Sequence, residues 1–148
     1  MFKKVMWATD GSAAADKAMP YAKGLAAADS GDLLVAHCEE LMQPGKGGGA
    51  FPVNADEHQA KQKIERQVAE LSSDGVHATL QMMRARSGGA AHSIAEAVEE
   101  AEVDVIVVGT RGHTPLSGLL LGSVTQRLLH IAPCPVLAVP AQRHATGG

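Results

Sequence analysis

At 148 residues the chain is one domain's worth of sequence, long enough to bury a core of its own. A hydrophobic share of 45% beside 20% charged residues fits a globular protein, and a net charge of -3 excludes a nucleic-acid binder, which needs clustered Lys and Arg. No apolar run approaches a membrane span, and the opening MFKKVMWATD is too weakly apolar for a signal peptide, so a cytoplasmic protein is expected.

Lys4 to Thr9 is a short apolar run with a turn signal behind it, Asp10-Gly11-Ser12, and reads as the first strand. Ala15, Ala18, Met19, Ala22, Leu25 and Ala26 then fall at helical spacing, and Pro20 predicts a kink or a restart inside that helix. Leu33 to Cys38 is the second strand. From 39 to 54 periodicity is lost around Gly45-Lys46-Gly47-Gly48-Gly49, which predicts a flexible loop; a lid whose Lys46 reaches an anion has only its charge in favour. Ala60, Ile64, Val68 and Leu71 place one apolar face on a highly charged helix over Asp56 to Leu71.

Val76 to Met83 is the third strand, Gly88-Gly89 breaks the chain, and Ile94, Ala95, Val98 and Ala101 carry the next helix. The β-branched run Val105 to Val108 ends at Gly109, where a loop with glycines at 109, 112, 118 and 122 leads to a helix opening at Ser123. Pro133-Cys134-Pro135 punctuates, Val136 to Val139 is the last strand, and 141–148 reads as a disordered tail.

The stretch from Val105 to Ser123 is a strand, a glycine loop and a helix N-terminus, the order that anion sites use. Gly109, Gly112 and Gly122 would offer cheap positive φ and bare backbone to a ligand, and the first helical turn would present unpaired N–H groups. An architectural reading stands beside this one. Ser123 and Gln126 match a capping box, and Gly109 could simply end a strand. The loop is not a Walker A motif, since no lysine lies between Gly109 and Ser123, and the first strand-to-helix turn lacks the dinucleotide fingerprint.

Five strands alternating with four helical patterns predict an α/β fold, a single open parallel sheet with helices on both faces, Rossmann-like, in strand order 3-2-1-4-5. The topological switch point then lies between the carboxyl ends of strands 1 and 4, which brings Asp10 beside the glycine loop. Cys38 and Cys134 match no zinc or CxxC pattern; strands 2 and 5 would stand roughly 14 Å apart, too far for a disulfide, so both read as small buried hydrophobes.

Gly109-x2-Gly112-x9-Gly122-Ser123 resembles the nucleotide-binding motif of the universal stress protein family, in its ATP-binding branch. The likeness runs from Lys4 to Pro140 through Asp10-Gly11-Ser12, the segment GGAAHSI, the strand VDVIVVG and the ending APCPVLAVP. The resemblance implies ATP as ligand, with Mg or Mn. It assigns Asp10 to the nucleotide with Ala8 lining the pocket, and the end of strand 2 near His37 to the adenine through backbone groups. Val108, Gly109 and Gly112 would hold ribose and phosphates, while Gly122, Ser123, Val124 and Thr125 would meet the phosphate tail. Arg111 and His113 read either as solvated side chains or as the cations nearest a triphosphate. Ser12 reads as the cap of the first helix, which assigns Asp10 to a ribose hydroxyl or a nucleotide-bound cation.

Family members often carry basic residues after the Leu116 position, where this chain has Ser117 and Gly118, so phosphate binding would rest on backbone donors. His58, His77, His92, His130 and His144 show no metal-ligand spacing, and no nucleophile-base pair stands out. The last strand is short, apolar and at a sheet edge, and members of the family dimerise there; a homodimer around Val136 to Val139 is expected. Three functions follow: an ATP-dependent regulator of a stress response acting on unidentified protein partners, a weak ATPase on the same site, or an interaction dimer that binds no nucleotide.

Overall fold

Runs such as VMWA and VIVV have no polar residue to turn toward water, the pattern of strands buried on both faces. The computed structural model describes residues 1–39, 53–85, 88–110 and 122–141. The element order is β1 (Lys4–Ala8), α1 (Ala13–Asp16), α2 (Met19–Ala28), β2 (Asp32–Glu39), α3 (Val53–Ser73), β3 (His77–Arg84), α4 (Gly89–Ala101), β4 (Val105–Gly109), α5 (Ser123–Ile131) and β5 (Val136–Val139). The strands form one parallel sheet in the expected order, β3-β2-β1-β4-β5.

Strand alternation divides the core in two. Val5, Trp7, Leu33, Val35, Val105, Val107 and Val139 point to one face, where Ala18 at the N-cap of α2, Ala22 and Ala26 within it, and Ile64 and Leu71 of α3 cover them. Met6, Ala8, Ala36, Ile106 and Val108 point to the other, beneath Ile94, Ala97 and Val98 of α4 and Leu128 of α5. Trp7 is fully buried and its indole Nε1 donates to the Ala15 carbonyl at 3.1 Å. Each fully buried Ile64 or Leu71 side chain contributes about 1.5–3 kcal/mol.

The first helical pattern is two helices, the restart that Pro20 predicted: it falls in the first turn of α2, where the N–H it lacks would have no partner. Two boundaries differ from the sequence reading. Glu39 completes β2, in register with Arg84, and α3 begins at Val53, so the expected loop over 39–54 gives up residues at both ends to regular structure. Cys38 and Cys134 are not joined in a disulfide, and both are half-buried rather than buried as expected. Lys46 and the tail beyond Ala141 lie outside the described residues.

Carboxylates fasten the edge of the sheet where the strands begin. Asp104 Oδ2 accepts the backbone N–H groups of Lys3 and Lys4, each at 2.9 Å, and Lys4 Nζ donates to the Ala101 carbonyl at 2.8 Å. Asp29 accepts from the N–H of Phe2 and pairs with the N-terminal ammonium. Asp32 at the start of β2 pairs with His77 at the start of β3. Among the described residues no helix is long and apolar enough to cross a membrane.

Candidate functional site

In a doubly wound parallel sheet, the neighbouring strands whose connections leave toward opposite faces open a crevice at their carboxyl ends. Here those strands are β1 and β4, paired in register from Val5↔Val105 to Trp7↔Val107. Their ends carry Ala8, Thr9 and Asp10 on one side and Val108, Gly109 and Thr110 on the other.

The Asp10 side is built from short-range hydrogen bonds. Asp10 Oδ1 accepts the Ser12 N–H at 2.9 Å, and Thr9 Oγ1 accepts the Gly11 N–H at 3.1 Å. Ser12 is the N-cap of α1, as its position suggested, its Oγ accepting from the Ala15 N–H at 3.1 Å. Gly11 turns the chain at φ +81°, and a Cβ there would lie 2.9 Å from that of Ala60, so both conformation and contact demand glycine.

On the opposite side, the Thr110 N–H donates to the Val139 carbonyl at 2.9 Å and the Gly122 N–H to the Thr110 carbonyl at 2.6 Å. The chain thus leaves after Thr110 and returns at Gly122 through one hydrogen-bonded neck. Arg111, Gly112 and His113 lie between these points, outside the described residues. Gly122 is the N-cap of α5 with φ -60° and makes no side-chain cap, while Gln126 N–H donates to its carbonyl at 2.9 Å.

Two expectations are corrected here. Ser123 is the first helical residue rather than the cap, so the Ser123–Gln126 capping box does not form. Neither Gly109 nor Gly122 has positive φ. Gly109 is needed for another reason: a Cβ would lie 2.8 Å from the Ala14 carbonyl oxygen of α1, so the helix backbone occupies the space a side chain would take.

The other assigned residues fall into separate groups. Ala8 and Val108 join the apolar cluster on the α4–α5 face, with Val124 packed against it, and Ser123 is exposed on the first turn of α5. Thr125 is buried and its Oγ1 donates to the Gly109 carbonyl at 2.7 Å. Its hydroxyl fastens α5 to β4. His37 is 2% exposed on the opposite face of the sheet, under α3. The Thr9 carbonyl can only accept, so His37 Nδ1 donates to it, at 2.8 Å; Nε2 bonds to Glu57 of α3.

Sequence reasoning found the helix α3 but missed its polar contacts to the Asp10 turn. Besides Glu57, Lys63 Nζ donates to the Gly11 carbonyl at 2.9 Å and to the Asp16 carboxylate at 2.6 Å, and Gln67 donates to Asp16 at 2.9 Å. The one signal available was that Glu57, Ala60, Lys63 and Gln67 recur every three or four residues along the flank of the apolar stripe.

The chemistry of these donors fits a phosphate group. A glycine N-cap makes no side-chain bond to the N–H groups of the first turn of α5, those groups have no intrahelical acceptor, and the helix dipole favours an anion there. Asp10 supplies an acceptor for hydroxyls or a cation. Among the described residues no group of three or more His, Cys, Asp or Glu side chains is placed to hold a metal ion. A groove of about 660 Å³ opens beside α1 and the end of β5, lined by Ala13, Ala14, Lys17, Tyr21, Val139, Pro140 and Ala141. It contains none of the assigned residues and no helix N-cap, so the crevice is the better candidate.

Comparison with known proteins agrees with this frame. Residues 1–140 match the model of the universal stress protein family. A universal stress protein of Thermus aquaticus, from the 3' region of a QAH/OAS sulfhydrylase gene, is 34% identical over 143 residues, covering 94% of this chain and 99% of its own. Among solved structures, the protein MJ0577 superposes with a TM-score of 0.77 at 25% identity, covering 98% of this chain and 99% of its own. The universal stress protein from Archaeoglobus fulgidus in complex with dAMP gives a TM-score of 0.66 at 20% identity, covering 94% and 98%. With one family model spanning the domain from β1 past β5, the chain belongs to the universal stress protein family.

Proposed function

We propose that the protein is a cytoplasmic, nucleotide-dependent regulator of a stress response that binds ATP with Mg or Mn in the crevice between β1 and β4. The observation that carries this reading is the N-terminus of α5, whose cap Gly122 brings no side chain to it, fixed against the end of β4 by Thr125 and Thr110. That corner offers backbone N–H groups to phosphates, and the Asp10 turn stands across the switch point for the ribose. A relative of the same fold that binds an adenine nucleotide, the dAMP complex, supports adenine as the base. Occupancy would change the surface offered to partner proteins, and the active unit is a homodimer formed through β5.

The test is a calorimetric titration of ATP and magnesium into protein stripped of nucleotide by unfolding and refolding, with the supernatant examined for released nucleotide. Saturable binding with a single ATP per chain supports the reading. No released nucleotide and no binding would leave the glycine loop architectural.

A further inference from the structure

We propose that α3 is the positioning element for Asp10, and that through it nucleotide binding is coupled to how α3 docks. This rests on the nucleotide reading above and goes beyond it, because α3 contributes none of the residues that the family motif assigns to the ligand.

Asp10 is held by its neighbours. The carbonyl of the residue before it, Thr9, is bound by the buried His37 ring, whose other nitrogen bonds to Glu57 of α3. The carbonyl of the residue after it, Gly11, accepts from Lys63 of α3 at 2.9 Å. Between these two points Ala60 lies so close to Gly11 that even a methyl group would be in collision. Lys63 and Gln67 also hold Asp16 of α1, so one face of one helix grips the peptide units on both sides of Asp10 and the helix that follows.

None of these contacts explains stability as simply as apolar packing would. Ile64 and Leu71 already anchor α3 to the sheet, one at 0% and one at 2% exposure. The polar stripe spans three separate segments, β2, the Asp10 turn and α1, and holds the Thr9 and Gly11 carbonyls from outside a turn whose local bonds run through its N–H groups. A tilt of α3 about its apolar anchor would shift the Thr9 and Gly11 carbonyls together and carry Asp10 with them. By linkage, a ligand that holds Asp10 must in turn steady α3, and whatever displaces α3 must weaken the ligand by the same factor. Glu57 and Lys63 are therefore positioning residues.

The test uses the full chain and the variants Glu57→Ala and Lys63→Met, with Glu57→Gln and Lys63→Arg as conservative counterparts. Amide exchange at Gly11 and Ser12, whose N–H groups close the turn, is read beside ATP titration. The expected result is exchange about tenfold faster at those two amides, with β2 and β4 keeping wild-type rates, and ATP affinity lower by about fivefold or more. The conservative variants should return most of both effects. ATP added to the wild type should slow exchange in α3. Unchanged exchange at Gly11 and Ser12, or a uniform rise across the whole sheet, would overturn the proposal, since α3 would then be packing alone. If the wild type takes up no ATP, the nucleotide reading and the coupling fail together, while exchange at Gly11 and Ser12 still decides whether α3 positions the Asp10 turn.

Discussion

The Oγ1 of Thr125 donates a 2.7 Å hydrogen bond to the carbonyl of Gly109, so the first turn of α5 is fastened to the last residue of β4. Thr125→Val keeps the shape and leaves a buried carbonyl unpaired, at a cost of about 1–3 kcal/mol. In a domain this size that lowers the melting temperature by about 2–4 °C per kcal/mol. Thr125→Ser should recover most of it. Thermal unfolding followed by circular dichroism checks this, and a valine variant as stable as the wild type would show that the bond contributes nothing.

Gly122 stands at φ -60° and ψ 153°, a conformation open to any residue, so its role as glycine is not conformational. Gly122→Val should fold normally, with an unchanged circular dichroism spectrum, and lose ATP affinity by at least about tenfold because the β-branched side chain crowds the N–H groups of the first turn. Full affinity in the calorimeter would place the phosphates elsewhere.

Leu137 is a large hydrophobe at 38% exposure on β5, the shortest strand at a free edge of the sheet. Leu137→Lys should give a monomer by light scattering while costing the single chain little, since exposed positions usually change stability by about 0.5 kcal/mol or less. A dimer that survives the substitution would move the interface away from β5.

Cys134 sits half-buried before β5, and burial pushes its thiol above the ordinary range. A raised value means that the folded state prefers the neutral thiol. The contribution to stability is fully present below the ordinary thiol value of about 8.5 and is lost as pH rises through the raised one. Alkylation by iodoacetamide at mildly alkaline pH should be slower at Cys134 in the native protein than in urea, and Cys134→Ser should flatten the alkaline fall in stability. Equal rates in the two states would contradict it.

Sheet order and crevice were legible because they follow from local signals: apolar runs of strand length, helices between them, and the handedness of parallel crossovers. The end of β1, read one residue late at Thr9, and the cap at Ser12 were legible for the same reason. What lay hidden was contact between distant segments. Nothing near Gly109 shows that the Ala14 carbonyl fills the place of its side chain. Glu57, Lys63 and Gln67 look like the solvated side of a charged helix, and only the fold shows their partners, His37, Gly11 and Asp16. Ser123 misled because a serine three residues before a glutamine has the composition of a capping box, whereas the chain enters α5 one residue earlier.

The carboxylates that fasten the starting ends of the strands have a mechanical consequence. Asp104 and Asp29 clamp the entrance to β1, and Asp32 with His77 ties β2 to β3 at the same edge. Strands so fastened behave as levers with a fixed fulcrum, and any twist of the sheet has its smallest amplitude there. Displacement grows along the roughly 17 Å of a five-residue strand and is largest at the far rim, where Asp10 and Gly122 stand. A small change at that rim is therefore delivered outward, to the loops and helix ends a partner would touch, while the opposite edge stays still.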